Sequence, residues 1–82
     1  MLSFGGQRIF LVVAPTDMRK SFNGLSGIAR DLLGATPRSR DLFVFANRAK
    51  NRLKVLCYDE SGAWVLAKRL DSKRPKPVAL VA

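Results

Sequence analysis

Ser21-Phe22-Asn23-Gly24-Leu25-Ser26-Gly27-Ile28-Ala29-Arg30-Asp31-Leu32-Leu33 is the stretch on which the fold turns. Phe22, Leu25, Ile28, Ala29, Leu32 and Leu33 recur at helical spacing, so one stripe is apolar and the rest polar. Ser21 is of the type that opens a helix, Gly34 is placed to stop it, and Thr36-Pro37 keeps it stopped. Gly24 and Gly27 weaken the first turns and point to close packing there. Upstream, Arg8-Ile9-Phe10-Leu11-Val12-Val13-Ala14 is β-branched and aromatic, bounded by Gly5-Gly6 and Pro15. Its nearly continuous apolarity predicts a strand buried on both faces. Thr16 to Lys20 reads as the loop between strand and helix.

Downstream the period returns to two. Leu42 to Ala46, Arg52 to Asp59 and Ala63 to Leu70 read as three strands, joined by Asn47–Asn51 and by Glu60-Ser61-Gly62. The predicted order is β-α-β-β-β: a small α/β (α+β) domain over residues 1–71. Its four-stranded, mostly antiparallel sheet carries one helix on one face. A basic, proline-rich tail, 72–82, follows.

A three-residue turn containing Gly62 would set Tyr58 opposite Trp64, Leu56 opposite Leu66 and Lys54 opposite Lys68. Alternation then gives the helix a bed of Leu53, Val55, Cys57, Val65 and Ala67, joined by Phe43 and Phe45. The other face would carry Leu56, Tyr58, Trp64 and Leu66 as a protein-interface patch, with Arg52, Lys54 and Lys68 at its far end. Cys57 reads as a small core residue.

Charge narrows the function. The 82 residues hold 15 Lys and Arg against 6 Asp and Glu and no His, a formal charge of +9. Such an excess on a small domain favours polyanionic partners, DNA above all. The candidate phosphate contacts are Arg19, Lys20, Arg48, Lys50, Arg52, Lys54, Lys68 and Arg69, which cluster in two loops and two strand ends. The bland alternative is a solvated charged surface.

Catalytic classes have little to stand on. There is no histidine for a general base, no nucleophile-elbow or phosphate-loop pattern, and one cysteine, so neither an internal disulfide nor a Cys/His zinc site can form. No cofactor or metal is expected. The longest apolar run is far short of the ~20 residues that span a bilayer. The first residues lack a basic region followed by an apolar core, so a cytoplasmic setting is expected. Asp17 and Asp59 are the acids on which a metal-dependent phosphodiesterase would rest. Asp59 also suits a hairpin turn, and Asp17 suits pairing with Arg19 or capping the helix.

Several segments together resemble one family. Thr16-Asp17-Met18-Arg19-Lys20-Ser21-Phe22-Asn23-Gly24-Leu25 is similar to the Thr-Asp-Met-Arg-Lys-Gly-Phe-Asp-Gly-Leu signature of the TnpB-type accessory proteins of IS66-family insertion sequences. Leu42-Phe43-Val44-Phe45 with Asn47-Arg48, then Arg52-Leu53-Lys54-Val55-Leu56, Tyr58-Asp59, Gly62 and Lys68-Arg69-Leu70, match later segments in order and spacing. Ser21, Asn23 and Ala49 depart from the family's usual Gly, Asp and basic residue, and the sequence diverges after Asp71. The resemblance implies a bacterial, non-catalytic protein of DNA transposition that acts beside a separate, larger transposase. Three readings stay open: an accessory protein binding DNA or transposase subunits, a protein-interaction module whose charge only keeps it soluble, and the phosphodiesterase.

Overall fold

The computed structural model describes residues 2–70; the tail 72–82 lies outside the described residues. Five strands and one helix follow in the order β1 Leu2–Phe4, β2 Gln7–Leu11, α1 Phe22–Leu33, β3 Leu42–Ala46, β4 Arg52–Asp59 and β5 Gly62–Arg69. The sheet runs β1-β2-β3-β4-β5, with β2 and β3 parallel and every other pair antiparallel. The predicted β-α-β-β-β order is therefore observed, with the helix as the crossover between two parallel neighbours. One strand is additional. Gly5 and Gly6 take φ of 55° and 83°, the positive pair that a tight two-residue hairpin turn requires. They fold Leu2–Phe4 back onto β2 instead of merely marking its start.

The helix lies on one face and closes the core. Leu25 and Ala29 meet Phe43, Phe45 and Leu56, with Phe10, Val12, Met18, Ile28, Leu33, Tyr58, Ala63 and Val65 packed around them. Phe10 stacks on Phe43 at 4.8 Å between centroids, and Tyr58 meets Phe43 edge-on at 6.1 Å. Ser26, buried on the helix, shares a 2.8 Å hydrogen bond with the Tyr58 hydroxyl. Gly34 ends the helix in the left-handed conformation, φ 68°, donating its amide to the Arg30 carbonyl at 2.8 Å.

Two expectations about faces are corrected. Burial of the strand on both faces does not occur: Leu11 is 63% exposed because a single helix covers only one side, and the strand ends there, leaving Val13 beyond it 96% exposed. The last hairpin has a two-residue turn, so the register is Asp59↔Gly62, Tyr58↔Ala63, Cys57↔Trp64, Leu56↔Val65 and Lys54↔Ala67. The Asp59 carboxylate causes this. It accepts the amides of Ser61 (2.9 Å) and Gly62 (2.8 Å) and the Ser61 hydroxyl (2.9 Å), tightening the turn by one residue.

A one-residue slip exchanges faces. Leu56, fully buried, and Tyr58 point to the helix, while Trp64 and Leu66 lie on the opposite side, so the four do not form one interface patch. Leu53, Val55 and Cys57 likewise leave the helix bed for the other face. Two rows then cross that uncovered face: Ile9, Leu42, Cys57, Trp64 and Leu11, Val44, Val55, Leu66. Cys57 is buried by its strand neighbours there, and burial pushes its thiol pKa up, with Asp59 adding to the effect.

Candidate nucleic-acid interface

The loop before α1 and the loop after β3 meet at one end of the sheet. Backbone pairing brings them together: the Thr16 amide donates to the Ala46 carbonyl at 2.8 Å. The second loop is stapled by Asn47. Its side chain accepts the amides of Asn51 and Arg52, both at 3.1 Å, and donates to the Asn51 side chain at 2.8 Å. Lys50 turns the loop with a φ of 57°. Arg48 and Lys50 are left exposed at its tip.

Two open clefts share Arg52 at this end. The first, about 520 Å³, is lined by Thr16 to Arg19 on one side and by Asn47, Arg48, Ala49, Asn51 and Arg52 on the other. The second, about 340 Å³, lies between Met18, Lys54, Arg52, Leu53, Ala67, Lys68 and Arg69. Of the eight cations read from the sequence, Arg19, Arg48, Arg52, Lys54, Lys68 and Arg69 line these clefts. Lys20 and Lys50 line neither. The like-charged pair across the hairpin is Arg52 and Arg69, not Lys54 and Lys68; Lys68 faces Leu53 instead. Directly opposed cations repel, and an anion between or above them relieves the repulsion.

Two of the cations also hold the fold. Lys54 donates from Nζ to the Lys20 carbonyl at 2.8 Å, tying the loop before the helix to β4. Arg19 grips Asp17 with Nη2 on Oδ2 at 2.9 Å and Nε on Oδ1 at 3.1 Å, and its amide donates to Oδ1 at 2.9 Å. Asp17 thus shapes the loop and does not cap the helix. Ser21 holds the N-cap position without a side-chain hydrogen bond, and no acid occupies the first helical turn. Positive backbone potential at that end is therefore not neutralised locally.

The acids do not converge. Asp17 borders the cleft beside Arg52, whereas Asp59 sits at the other end of β4, roughly 20 Å away at ~3.3 Å per residue. Among the described residues no three His, Cys, Asp or Glu gather as a metal site, and no helix is long and apolar enough to cross a membrane. The missed pair is Arg8 with Asp41, 33 residues apart in sequence. Arg8 Nε donates to Asp41 Oδ1 at 2.8 Å, and the Arg38 amide donates to Oδ2 at 2.8 Å. Neither residue belongs to a motif, so only coordinates join them.

The arrangement of motif loop, helix and basic hairpin end coincides with a family pattern that covers residues 7–77. The chain belongs to the IS66 Orf2-like family. Two relatives, the uncharacterized proteins y4jC and y4hO of Sinorhizobium fredii (strain NBRC 101917 / NGR234), are each 36% identical over 67 residues. Those residues are 82% of this chain and 57% and 58% of the two relatives, so the chain spans a little over half their length. No solved structure matches it significantly.

In this IS66 Orf2-like chain the motif acid has a measurable signature. Arg19, through its side chain and then its amide, holds the Asp17 carboxyl down at about 2. A carboxylate lowered on folding contributes stability above its unfolded value near ~4, and loses it as pH falls through the folded value. The melting temperature is expected to decline between pH 4 and pH 2, and Asp17→Asn to melt lower than the parent at pH 7 and to flatten part of that decline, so that the two curves converge near pH 2. A parallel decline in parent and variant would show that the Asp17–Arg19 pair contributes nothing to folding.

Proposed function

We propose that this chain is a non-catalytic accessory protein of transposition that binds DNA through phosphate contacts at its basic sheet end. The observation that carries the reading is the clustering of Arg19, Arg48, Arg52, Lys54, Lys68 and Arg69 around two open clefts. In it two arginines stand directly opposite each other with no acid bonded to either among the described residues. Guanidinium groups in open clefts, beside an uncapped helix start, suit phosphate oxygens and carry no device for reading base edges. Membership in the IS66 Orf2-like family supports the transposition setting. The transposase of the same element is the natural protein partner, and the DNA-bound assembly the place where the two meet.

Binding of this kind is largely independent of sequence and weakens steeply with salt. Duplex DNA affinity measured by fluorescence anisotropy across a salt series tests it. Arg52→Gln and Arg69→Gln should each lower the salt slope by about one. Each should also stabilise the free protein by roughly 0.2–1 kcal/mol, because it removes a like-charge opposition. Arg30→Gln, on the last turn of the helix, serves as the control of equal charge change and should leave affinity near the parent's. Should Arg52→Gln, Arg69→Gln and Arg30→Gln all bind alike, the basic end is only a solvated surface and the DNA reading fails.

A further inference from the structure

The sheet face opposite the helix has no cover among the described residues, yet it is built as a core face. Its two cross-strand rows are entirely apolar, and Leu11, Trp64 and Leu66 remain 63%, 45% and 57% exposed. An uncovered contiguous apolar surface of this kind marks an interaction site. We propose that it is a homodimer interface, on which a second copy of this chain packs sheet to sheet.

Charge selects that occupant. Along this face the register places only two charged side chains among the described residues, Lys68 and Asp59, at opposite ends of the hairpin. A nucleic acid or a strongly charged segment finds nothing to pair with in its middle. A second copy does: turned about a two-fold axis lying across the strands, it stacks apolar rows on apolar rows and sets Lys68 of each copy near Asp59 of the other. Such an isologous arrangement is closed and self-complementary. The remaining basic residues of the clefts lie on the helix side or in loops, away from the contact.

Size agrees. Five strands at ~4.8 Å and three to eight residues at ~3.3 Å give a face about 20 Å wide and, over its longer strands, about 20 Å long. Two copies packed ~10 Å apart bury on the order of 1,000 Å² together, the lower bound of specific interfaces. A five-residue apolar segment such as Val78–Ala82 matches one strand's width of that area. The dimer also carries two basic ends, each with its pair of clefts.

Trp64, the sole tryptophan, reports on the face directly. In sedimentation velocity and fluorescence dilution of the full chain, mass should double with concentration as Trp64 emission moves to shorter wavelength. Added salt should favour the dimer, the reverse of its effect on DNA binding. Leu66→Lys and Leu11→Lys, both at exposed positions, should remain folded by circular dichroism and weaken dimerisation by more than about tenfold. A chain that stays monomeric into the millimolar range overturns the proposal, and so does a dimer indifferent to both substitutions. Short-wavelength emission that is independent of concentration and lost on truncation after Asp71 also overturns it, in favour of the chain's own tail.

Discussion

Asp41→Ala is expected to cost about 3 kcal/mol and to leave the domain barely folded at 37 °C. Asp41 is 2% exposed, and its carboxylate takes the Arg8 guanidinium through two nitrogens and the Arg38 amide. Removing one member of a buried pair strands the other, which typically costs 3–5 kcal/mol. The lower end applies because the Arg8 side chain is 21% exposed and regains some water. At ~4–8 °C per kcal/mol for a domain of this size, melting should fall by more than about 10 °C. Arg8 is also held over the Phe10 ring, 5.2 Å from its centroid, so its release loosens the edge of the core.

The pH response follows from opposing causes. Burial alone would raise the Asp41 pKa, but the hydrogen bonds from Arg8 and the Arg38 amide outweigh it, and the pKa is lowered. Its contribution is thus complete above the unfolded value near ~4 and disappears as pH falls through the folded one. Thermal melts of parent and Asp41→Ala between pH 7 and pH 2 check both points. The curves should be far apart at pH 7 and converge in acid. A loss under ~4 °C at neutral pH would mean that the pair is replaced by water at little cost.

Arg8 and Asp41 show why part of the fold was illegible in the sequence. A charge at the start of a strand reads as solvent-facing, and nothing local links two residues brought together only by the β2–β3 crossover. The helix was legible because its apolar stripe, its serine start and its glycine stop agree. The strands were legible as elements but not as faces. In β4 the set Leu53, Val55 and Cys57 is more apolar than the set Arg52, Lys54, Leu56 and Tyr58, yet it is Leu56 and Tyr58 that face the helix, so period alone points to the wrong side. The choice falls to the turn, where the Asp59 side chain shortens the loop by one residue and inverts β4, while Val65 and Ala67 of β5 stay on the helix side and Trp64 and Leu66 on the open side as the sequence predicts.

The basic end survived that inversion for a physical reason. Arg19 and Arg48 are in loops and Arg52, Lys68 and Arg69 are at strand ends, so all project near one rim whichever face each takes. The apolar patch had no such protection. Its four residues were in mid-strand, and the slip divided them between core and open face.

Phe43→Ala should be the more damaging of the two core-directed changes, at about 4 kcal/mol. Phe43 is 1% exposed in β3, held between Phe10 of β2 and Tyr58 of β4 and adjoining the helix residues Leu25 and Ala29. Phenylalanine-to-alanine changes in a core cost 3–5 kcal/mol, part lost transfer energy and part cavity. Two aromatic contacts, each worth ~0.5–1.5 kcal/mol beyond area, go with the ring. With five residues in the buried cluster among the described residues, there is little mobile packing to refill the space. A chain of this length has total stability of only ~4–12 kcal/mol, so the variant should be largely unfolded without ligand. Phe22→Ala is the matched control, the same chemical change on a side chain 41% exposed at the first helical position, and should cost less than about 1 kcal/mol. Urea denaturation followed by the Trp64 signal measures both. Near-equal midpoints for Phe43→Ala and Phe22→Ala would mean that the helix does not close its core on β3, and with that the division of the sheet into a covered and an open face would fall.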